Sequence, residues 1–460
     1  MGGHPHGPDL QSSPSALLLC SAAAIVLLAP ARAGAQTAGA ASSYSPVTLA
    51  SMLRDAPRAH PLVLAAEARL SAARGARRTA GALTNPLLTY QIENAAFPGA
   101  TAPPGIDRET SVFGTLPLDP LWQRGARIER ARNDILAAEA EVVQIRRAVA
   151  LDAARAFHRV ALAQASVLAS TDVLVELDSL LRFTGARVRE GATPEGDMLR
   201  LQVEREKMRA DQSLQEAELA QARGSLLAYL PIDATRKARS LASVQVTDPI
   251  ATRPDSFGGR VTSASLSARA ASETVVLGRP DVATARARAA AAESEVGVQR
   301  ALTVRQLGAT FGTKTIGTVH TMIAGLTVPL PFFDRNSGEI ERARGESSAT
   351  AQELRWTEGR ARGELAGAFE SARVLEERVR ALDSGFVARA ESSRRVALAA
   401  YREGAVPLLQ VLDATRILSE ARLTYLRTRF AEQDAVLALY VAAGQDPSDA
   451  LSSLGGSVAP

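Results

Sequence analysis

Apolar and polar positions change rhythm along this chain, and the same changes come twice in the same order. Over residues 86–94, Leu88, Tyr90 and Ile92 alternate with Thr89, Gln91 and Glu93, the period of a strand with one apolar face. A second strand is read over 109–118. Past Leu121 the period lengthens. Ile128, Ile135, Val142 and Val149 recur every seven residues, with Ala131, Ala138 and Ile145 three positions on, which is coiled-coil spacing. No proline interrupts 121–193. A helix over 126–190 would be about 100 Å long at ~1.5 Å per residue. With so narrow an apolar stripe it must lie against neighbours along its whole length.

The plan then recurs. Leu307, Ala309 and Phe311 interleave with Gln306, Gly308 and Thr310, and Met322, Ala324, Leu326 and Val328 with Thr321, Ile323, Gly325 and Thr327. Strands are therefore expected over 305–314 and 319–330. No proline occurs in 332–406, so a second long helix is expected. Its anchors are Ile340, Leu354, Ala361, Ala368, Leu375 and Leu382, and Gly359, Gly363 and Gly367 weaken it. Local matches support a duplication. Pro117 and Ile128 repeat as Pro329 and Ile340 at an offset of 212, and the Arg189–Ala192 sequence repeats at Arg402–Ala405 at 213. Pro61 with Ala68-Arg69 repeats as Pro280 with Ala287-Arg288 at 219. Each copy reads as helix, strand pair, very long helix, tight turn, long helix. The domain limits that follow are 1–35 (export signal), 36–230 (first repeat), 231–278 (connector), 279–445 (second repeat) and 446–460 (tail). Pro231, Pro249 and Pro254 suit the connector.

Strands of roughly 9–11 residues with one apolar face are the signature of a transmembrane barrel, although a soluble sheet with one wet face fits the strands equally well. Beyond the signal no segment holds 18 consecutive apolar residues, which excludes an inner-membrane helix bundle. A membrane-crossing form would have to be a closed barrel. Four strands cannot close one, since about eight is the minimum. Two copies would give a filled eight-stranded barrel, and three a twelve-stranded one with an open lumen. The abrupt stretch at Leu326–Arg344 then has a purpose: Leu326–Leu330 ends the last strand, Pro331–Gly338 leaves the membrane, and a helix runs from Glu339. Its cousin at Leu116–Arg132 does the same for the first repeat.

Composition narrows the class. Hydrophobic content is 46% but aromatic content only 4%, which suits closely packed helices better than a thick aromatic core. Net charge is +4, and Arg and acid interleave without a single-sign block, so no nucleic-acid partner is expected. The apolar segment Ala16–Ala29 followed by Ala31-Arg-Ala-Gly-Ala35 reads as an export signal cleaved near Ala35, although no Lys or Arg precedes it. The sole cysteine, Cys20, lies inside that signal, so the mature chain would carry neither a disulfide nor a thiolate metal site. Beyond the signal the histidines are His60, His158 and His320, far apart, and no nucleophile elbow or phosphate loop occurs. Neither catalysis, a cofactor nor a resident metal is expected.

Three stretches resemble the TolC family of outer-membrane channels, in its cation- and drug-efflux branch. They are Gly278-Arg-Pro-Asp-Val-Ala-Thr-Ala-Arg-Ala-Arg288, Val328-Pro-Leu-Pro-Phe-Phe-Asp-Arg-Asn-Ser-Gly-Glu-Ile340 and Tyr401-Arg-Glu-Gly-Ala-Val-Pro-Leu-Leu-Gln-Val-Leu-Asp-Ala-Thr415. The likeness extends from about Leu49 to Gln445. It implies an α+β membrane protein: four strands per protomer in a shared 12-stranded trimeric β-barrel, continued by a long α-helical coiled-coil tunnel through the periplasm. It implies a homotrimer in outer-membrane lipid, a periplasmic adaptor (membrane fusion protein) and an inner-membrane pump of RND type. The chain would be the passive exit duct of a tripartite efflux system. The rivals are the exit duct of a type I protein secretion system and a periplasmic coiled-coil adaptor. An adaptor would carry one hairpin, without paired strands.

Site expectations follow. Gly191 and Gly404 end helices, and Pro194 and Pro407 sit near the start of the next, as in any helical hairpin. By the resemblance, Arg189, Glu190, Gly191, Pro194, Arg402, Glu403, Gly404 and Pro407 become the tips that meet the adaptor. Asp197 and Tyr401 match a gate-holding pair and Asp413 a lumen-ring aspartate. Gln410 stands where an acid is expected, and Val406 where an arginine link is. On the barrel, Gln91 and Glu93 should face the lumen and Tyr90 lipid. Trp122 and Tyr90 are candidates for an interfacial aromatic girdle, and Phe332 and Phe333 for the second repeat's membrane boundary.

Overall fold

The computed structural model describes residues 47–100, 105–230, 246 and 273–447. The expected signal and nearly all of the connector and tail lie outside them. In chain order the elements are α1 (Leu49–Ala59), α2 (Pro61–Gly81), β1 (Leu87–Glu93), β2 (Glu109–Pro117), α3 (Pro120–Arg189), α4 (Glu195–Leu227), α5 (Glu273–Leu277), α6 (Pro280–Ala301), β3 (Gly308–Ile316), β4 (Val319–Thr327), α7 (Ser337–Asp383), α8 (Phe386–Arg402) and α9 (Leu408–Ala442).

The first long helix forms as its pattern requires: α3 is continuous over 70 residues. Its seven-residue stripe is buried at Ala131, Val142 and Val149 and half-buried at Ile128, Ile135 and Ile145. The second differs from expectation. The proline-free run breaks at Ser384-Gly385 into α7 and α8. Absence of proline permits a helix but does not compel one; Gly385, at φ +104°, takes a conformation that side chains resist. The break is well satisfied. The Ser384 hydroxyl donates to the Ala381 carbonyl (2.7 Å), Arg389 donates to the Ser384 carbonyl (3.1 Å), and the Tyr425 hydroxyl donates to Asp383 (2.9 Å).

The strands form one antiparallel sheet in the order β1-β2-β3-β4. β3 lies two to three residues later than the alternation suggests, because residues 302–307 are used to turn out of α6. β4 stops at Thr327, three residues early, where Val328-Pro-Leu-Pro removes the amide donors a ladder needs. The two-residue turn Gly317-Thr318 joins β3 to β4 with only glycine at positive φ, the type II′ pattern.

The helices repeat the strand order. α2 leads into β1, α3 leaves β2, α6 leads into β3 and α7 leaves β4, and α3 packs between α2 and α6 while α7 packs on α6. Farther from the sheet, α3 packs on α4 and α9, and α9 on α7 and α8. Short helices meet end to end. The end of α4 abuts the start of α2 through a His60–Tyr229 stack at 5.6 Å. The end of α9 abuts the start of α6 through Arg279, which donates to the Ala442 carbonyl at 3.2 Å. One edge of the protomer is therefore β1 with α2 and α4, the other β4 with α7 and α8.

Alanine-rich clusters hold these helices close. Val149, Ala153, Phe157 and Val160 pack with Val63, Leu226 and Phe430. Ala361, Leu365 and Ala372 pack with Val282, Leu437 and Leu439. Leu177, Leu180 and Leu201 pack with Tyr401, Leu408 and Val411 near the hairpin turns. α3 holds one 18-residue window apolar enough to cross a membrane, and 39% of that window is covered by neighbouring helices. His158 is 2% exposed inside the first cluster, its Nδ1 2.5 Å from the Asp434 carboxylate.

Candidate functional site

The sheet has two unlike faces. One carries Leu88, Tyr90, Ile92, Val112, Leu116, Ala309, Phe311, Met322, Ala324 and Leu326, a largely exposed apolar face. The other carries Gln91, Glu93, Glu109, Ser111, Lys314 and Thr321. Lys314 pairs with Glu109, and Gln91 donates to Glu93 at 2.6 Å. Among the described residues, both long edges, β1 and β4, lack a partner strand within the protomer. A sheet with a bare apolar face and two open edges is unstable in water and invites pairing. At Gly312 the strands crowd: an added Cβ would sit 2.2 Å from the Val112 carbonyl oxygen and 2.4 Å from the Phe113 Cβ.

The strand-to-helix junctions are locked from the side. Asp119, just before α3, turns its carboxylate away from its own helix to accept the Gln306 and Leu307 amides at 2.9 and 2.8 Å. Trp122 donates to the Ala301 carbonyl (3.0 Å) and Gln123 to the Val304 carbonyl (3.1 Å). Trp122 thus ties the two repeats together. In the second junction Asn336 is buried at φ +59° and donates to the Gln299 carbonyl at 2.7 Å, while Arg305 donates to its side-chain oxygen. Val328, Leu330, Phe332 and Phe333 stay exposed beside it, Phe333 completely.

The two hairpin turns are one solution used twice. Gly191 and Gly404 take φ +73° and +78°. Gly191 donates to the Val188 carbonyl and Ala192 to that of Arg187, while Gly404 donates to that of Tyr401 and Ala405 to that of Ala400. These are the paired bonds of a Schellman cap. Pro194 and Pro407 are the N-caps that follow. Arg189, Glu190, Arg402 and Glu403 are all exposed around them.

The expected Asp197–Tyr401 pair is not made within the protomer. Tyr401 is 4% exposed and its hydroxyl lies 3.3 Å from the Thr184 hydroxyl, while Arg187 sits over its ring and donates to its carbonyl. Asp197 instead faces Arg200 at 3.7 Å. The reason is register: Tyr401 points inward to α3, and Asp197 lies on the first turn of α4. Gln410 and Asp413 share the exposed face of α9, and Asp413 is bonded to Arg416 at 2.7 Å. Among the described residues no three His, Cys, Asp or Glu side chains are grouped to hold a metal ion.

The Arg-Pro-Asp stretch proves to be a buried clamp. Arg279 is 7% exposed and donates to both Asp281 oxygens (3.0 and 2.9 Å), to Glu364 (2.6 Å) and to the Ala361 and Ala442 carbonyls. Burial pulls the Asp281 carboxyl upward, but the Arg279 bonds and charge outweigh it and hold it below the ordinary range.

These features match known proteins. Residues 272–445 match the family described as Outer membrane efflux protein. The chain is 25% identical over 393 residues to the cobalt-zinc-cadmium resistance protein CzcC of Cupriavidus metallidurans, covering 83% of this chain and 86% of that one. It is 28% identical to the nickel-cobalt-cadmium resistance protein NccC of Alcaligenes xylosoxydans xylosoxydans, covering 74% and 72%. A solved structure of CusC superposes with a TM-score of 0.70 at 20% identity, covering 86% of this chain and 92% of that chain. The fold is TolC-like, and residues 272–445 carry the match to the outer-membrane efflux family. The solved structures that the chain resembles include outer-membrane channels. Of its fixed points, Asp119, Gln123, Asn336, Thr184, Arg187 and Gly312 escaped the sequence reading. An acid just before a helix-opening proline, and an Asn-Ser-Gly start, were signals present for two of them.

Proposed function

We propose that three copies of this efflux protein share one barrel and pass heavy-metal cations outward, delivered by an inner-membrane pump of RND type through a periplasmic adaptor. The observation that carries this is the four-stranded sheet with two open edges, one apolar face and one polar face. Three such sheets close twelve strands, which leaves a lumen where one sheet alone could not close. The metal class is supported by the names of the relatives at 25% and 28% identity. Gln91 and Glu93 would line the lumen, with Glu109 and Lys314 beside them.

The hairpin turns at Arg189–Pro194 and Arg402–Pro407 would meet the adaptor, since they expose the same shape twice on one end of the protomer. Tyr401, Asp197, Gln410 and Asp413 would form the periplasmic gate. Arg416 would balance the Asp413 ring, so that three carboxylates near the axis attract cations without strong mutual repulsion.

The test is a deletion strain challenged with cobalt, zinc, cadmium and nickel salts and, separately, with hydrophobic drugs. Hypersensitivity to the salts, restored by the plasmid-borne gene, is expected. Sensitivity to drugs with unchanged metal tolerance would contradict the metal reading.

A further inference from the structure

The helical edges of the protomer carry two exposed seams that fit each other. On α4, Leu201, Leu219 and Leu226 are buried against the protomer. The opposite face holds Leu199, Val203 and Leu214, exposed at 55%, 69% and 67%, in line with Ala210, Ala217 and Gly224. On the other edge, α8 buries Ala390 and Tyr401 and exposes Ala388, Ser392, Val396 and Ala399 on the opposite side. α7 continues that line with Val374 and Ala381. Helical residues three and four apart form such lines, and apolar lines of this length are covered in a stable assembly.

The two seams share a register. α4 climbs from its hairpin tip beginning at Glu195, and α8 descends to its own tip, ending at Arg402. At ~1.5 Å per residue, tips set level put Leu199 beside Ala399 and Val203 beside Val396. Leu214 then reaches the Ser384-Gly385 break, Ala217 meets Ala381 and Gly224 meets Val374. Leu199 falls opposite the small Ala399 and Leu214 opposite the break, while Val203 and Val396 meet as equals.

Charge agrees. α4 holds seven acids against five bases. α8 holds Arg389, Arg394, Arg395 and Arg402 against Glu391 alone. Arg394 and Glu391 are engaged inside the protomer, with Glu176 and Arg422. That leaves three exposed arginines facing outward. Glu206, beside the α4 seam and accepting from Arg205 at 2.7 Å, stands about one turn from the level of Arg395.

We propose that the α4 face of one copy docks antiparallel on the α7–α8 face of a second copy, with Val203 against Val396 and Glu206 paired to Arg395. This rests on the trimeric reading above, and it adds the register and the side chains. The occupant is a second copy because the same two edges carry the unpaired strands β1 and β4, so one contact would cover both. It also explains the broken helix: the Gly385 turn makes room for the Leu214 side chain.

The test uses the full-length protein purified from outer membranes without adaptor or pump. Val203→Cys and Val396→Cys are introduced together and singly, with the wild type, whose one cysteine is Cys20, as the control. A short bis-maleimide should convert most of the double variant to covalent dimers and trimers on a boiled gel, and leave the single variants and the wild type monomeric. An unheated gel reports the trimer separately. A trimer there without covalent products overturns the register, whereas a monomer there overturns the trimeric reading itself. A charge swap provides a second readout. E206R should lower the temperature at which the trimer dissociates, and R395E added to it should restore that temperature. A double variant no better than the single would overturn the pairing.

Discussion

The first and second repeats reach the same architecture by different chemistry. α3 runs unbroken for 70 residues, while its counterpart is split at Ser384-Gly385 into α7 and α8. The end-to-end joint of the first repeat is a His60–Tyr229 ring stack near the surface, whereas that of the second is the buried Arg279 clamp. β3 needs Gly312 in a crowded strand crossing, while β1 is an edge strand with no glycine. The hairpin turns alone stay alike. The two halves thus share the path of the chain but satisfy buried polar groups along it in different ways.

The largest expected asymmetry is in the sheet. Gly312→Val would force the β2–β3 ladder apart, so no assembled protein should reach the outer membrane, as read on an unheated gel of that fraction. Gln91→Val on the edge strand should assemble normally. A normally assembled Gly312→Val protein would mean that β2 and β3 are not paired as described.

Next come the joints. Arg279→Met removes the bidentate partner of buried Asp281, leaving it Arg360 at 3.7 Å, and should cost about 3 kcal/mol, read from thermal unfolding in detergent. Tyr229→Leu loses one ring contact, about 0.5–1.5 kcal/mol. The clamp also has a pH signature. The Asp281 carboxyl is held below its ordinary value of 3.8, so its contribution is complete above that value. It is lost as pH falls through the lowered native value. An acid titration of stability should show this loss in the wild type and not in Asp281→Asn.

The helix break should matter less. Gly385→Ala places a side chain at φ +104° and should cost about 1–3 kcal/mol. The reverse change, Asp172→Gly in the continuous α3, should cost no more than about 1 kcal/mol. Smallest, and equal, are the turns: Gly191→Ala and Gly404→Ala should each cost about 1 kcal/mol. Unequal costs in purified protein would show that the two tips carry different loads.

The comparison also explains what could be read in the chain. The strand faces were legible because alternation is a local code: Leu88, Tyr90 and Ile92 declare one face by themselves. The coiled-coil stripe of α3 was legible for the same reason. The β4 limit was missed by three residues because apolar Val328 and Leu330 continue the rhythm after the prolines have ended the ladder. The break at Gly385 was hidden, since glycines at 359, 363 and 367 stay helical and only Gly385 finds tertiary partners for a turn. The partner of Tyr401 within the protomer was hidden for a related reason. Which residue the Tyr401 hydroxyl meets depends on the rotation of α8 against α3, and no motif encodes that. Arg279 was visible as a motif, but its job required α7 and α9 to be brought to it.

One sheet with two open edges can become a barrel only when copies share it. Native mass spectrometry of the protein extracted from outer membranes tests it most directly. A complex of three chains that returns to single chains on heating is expected. A single chain, or a complex of two, in the outer-membrane extract would contradict it.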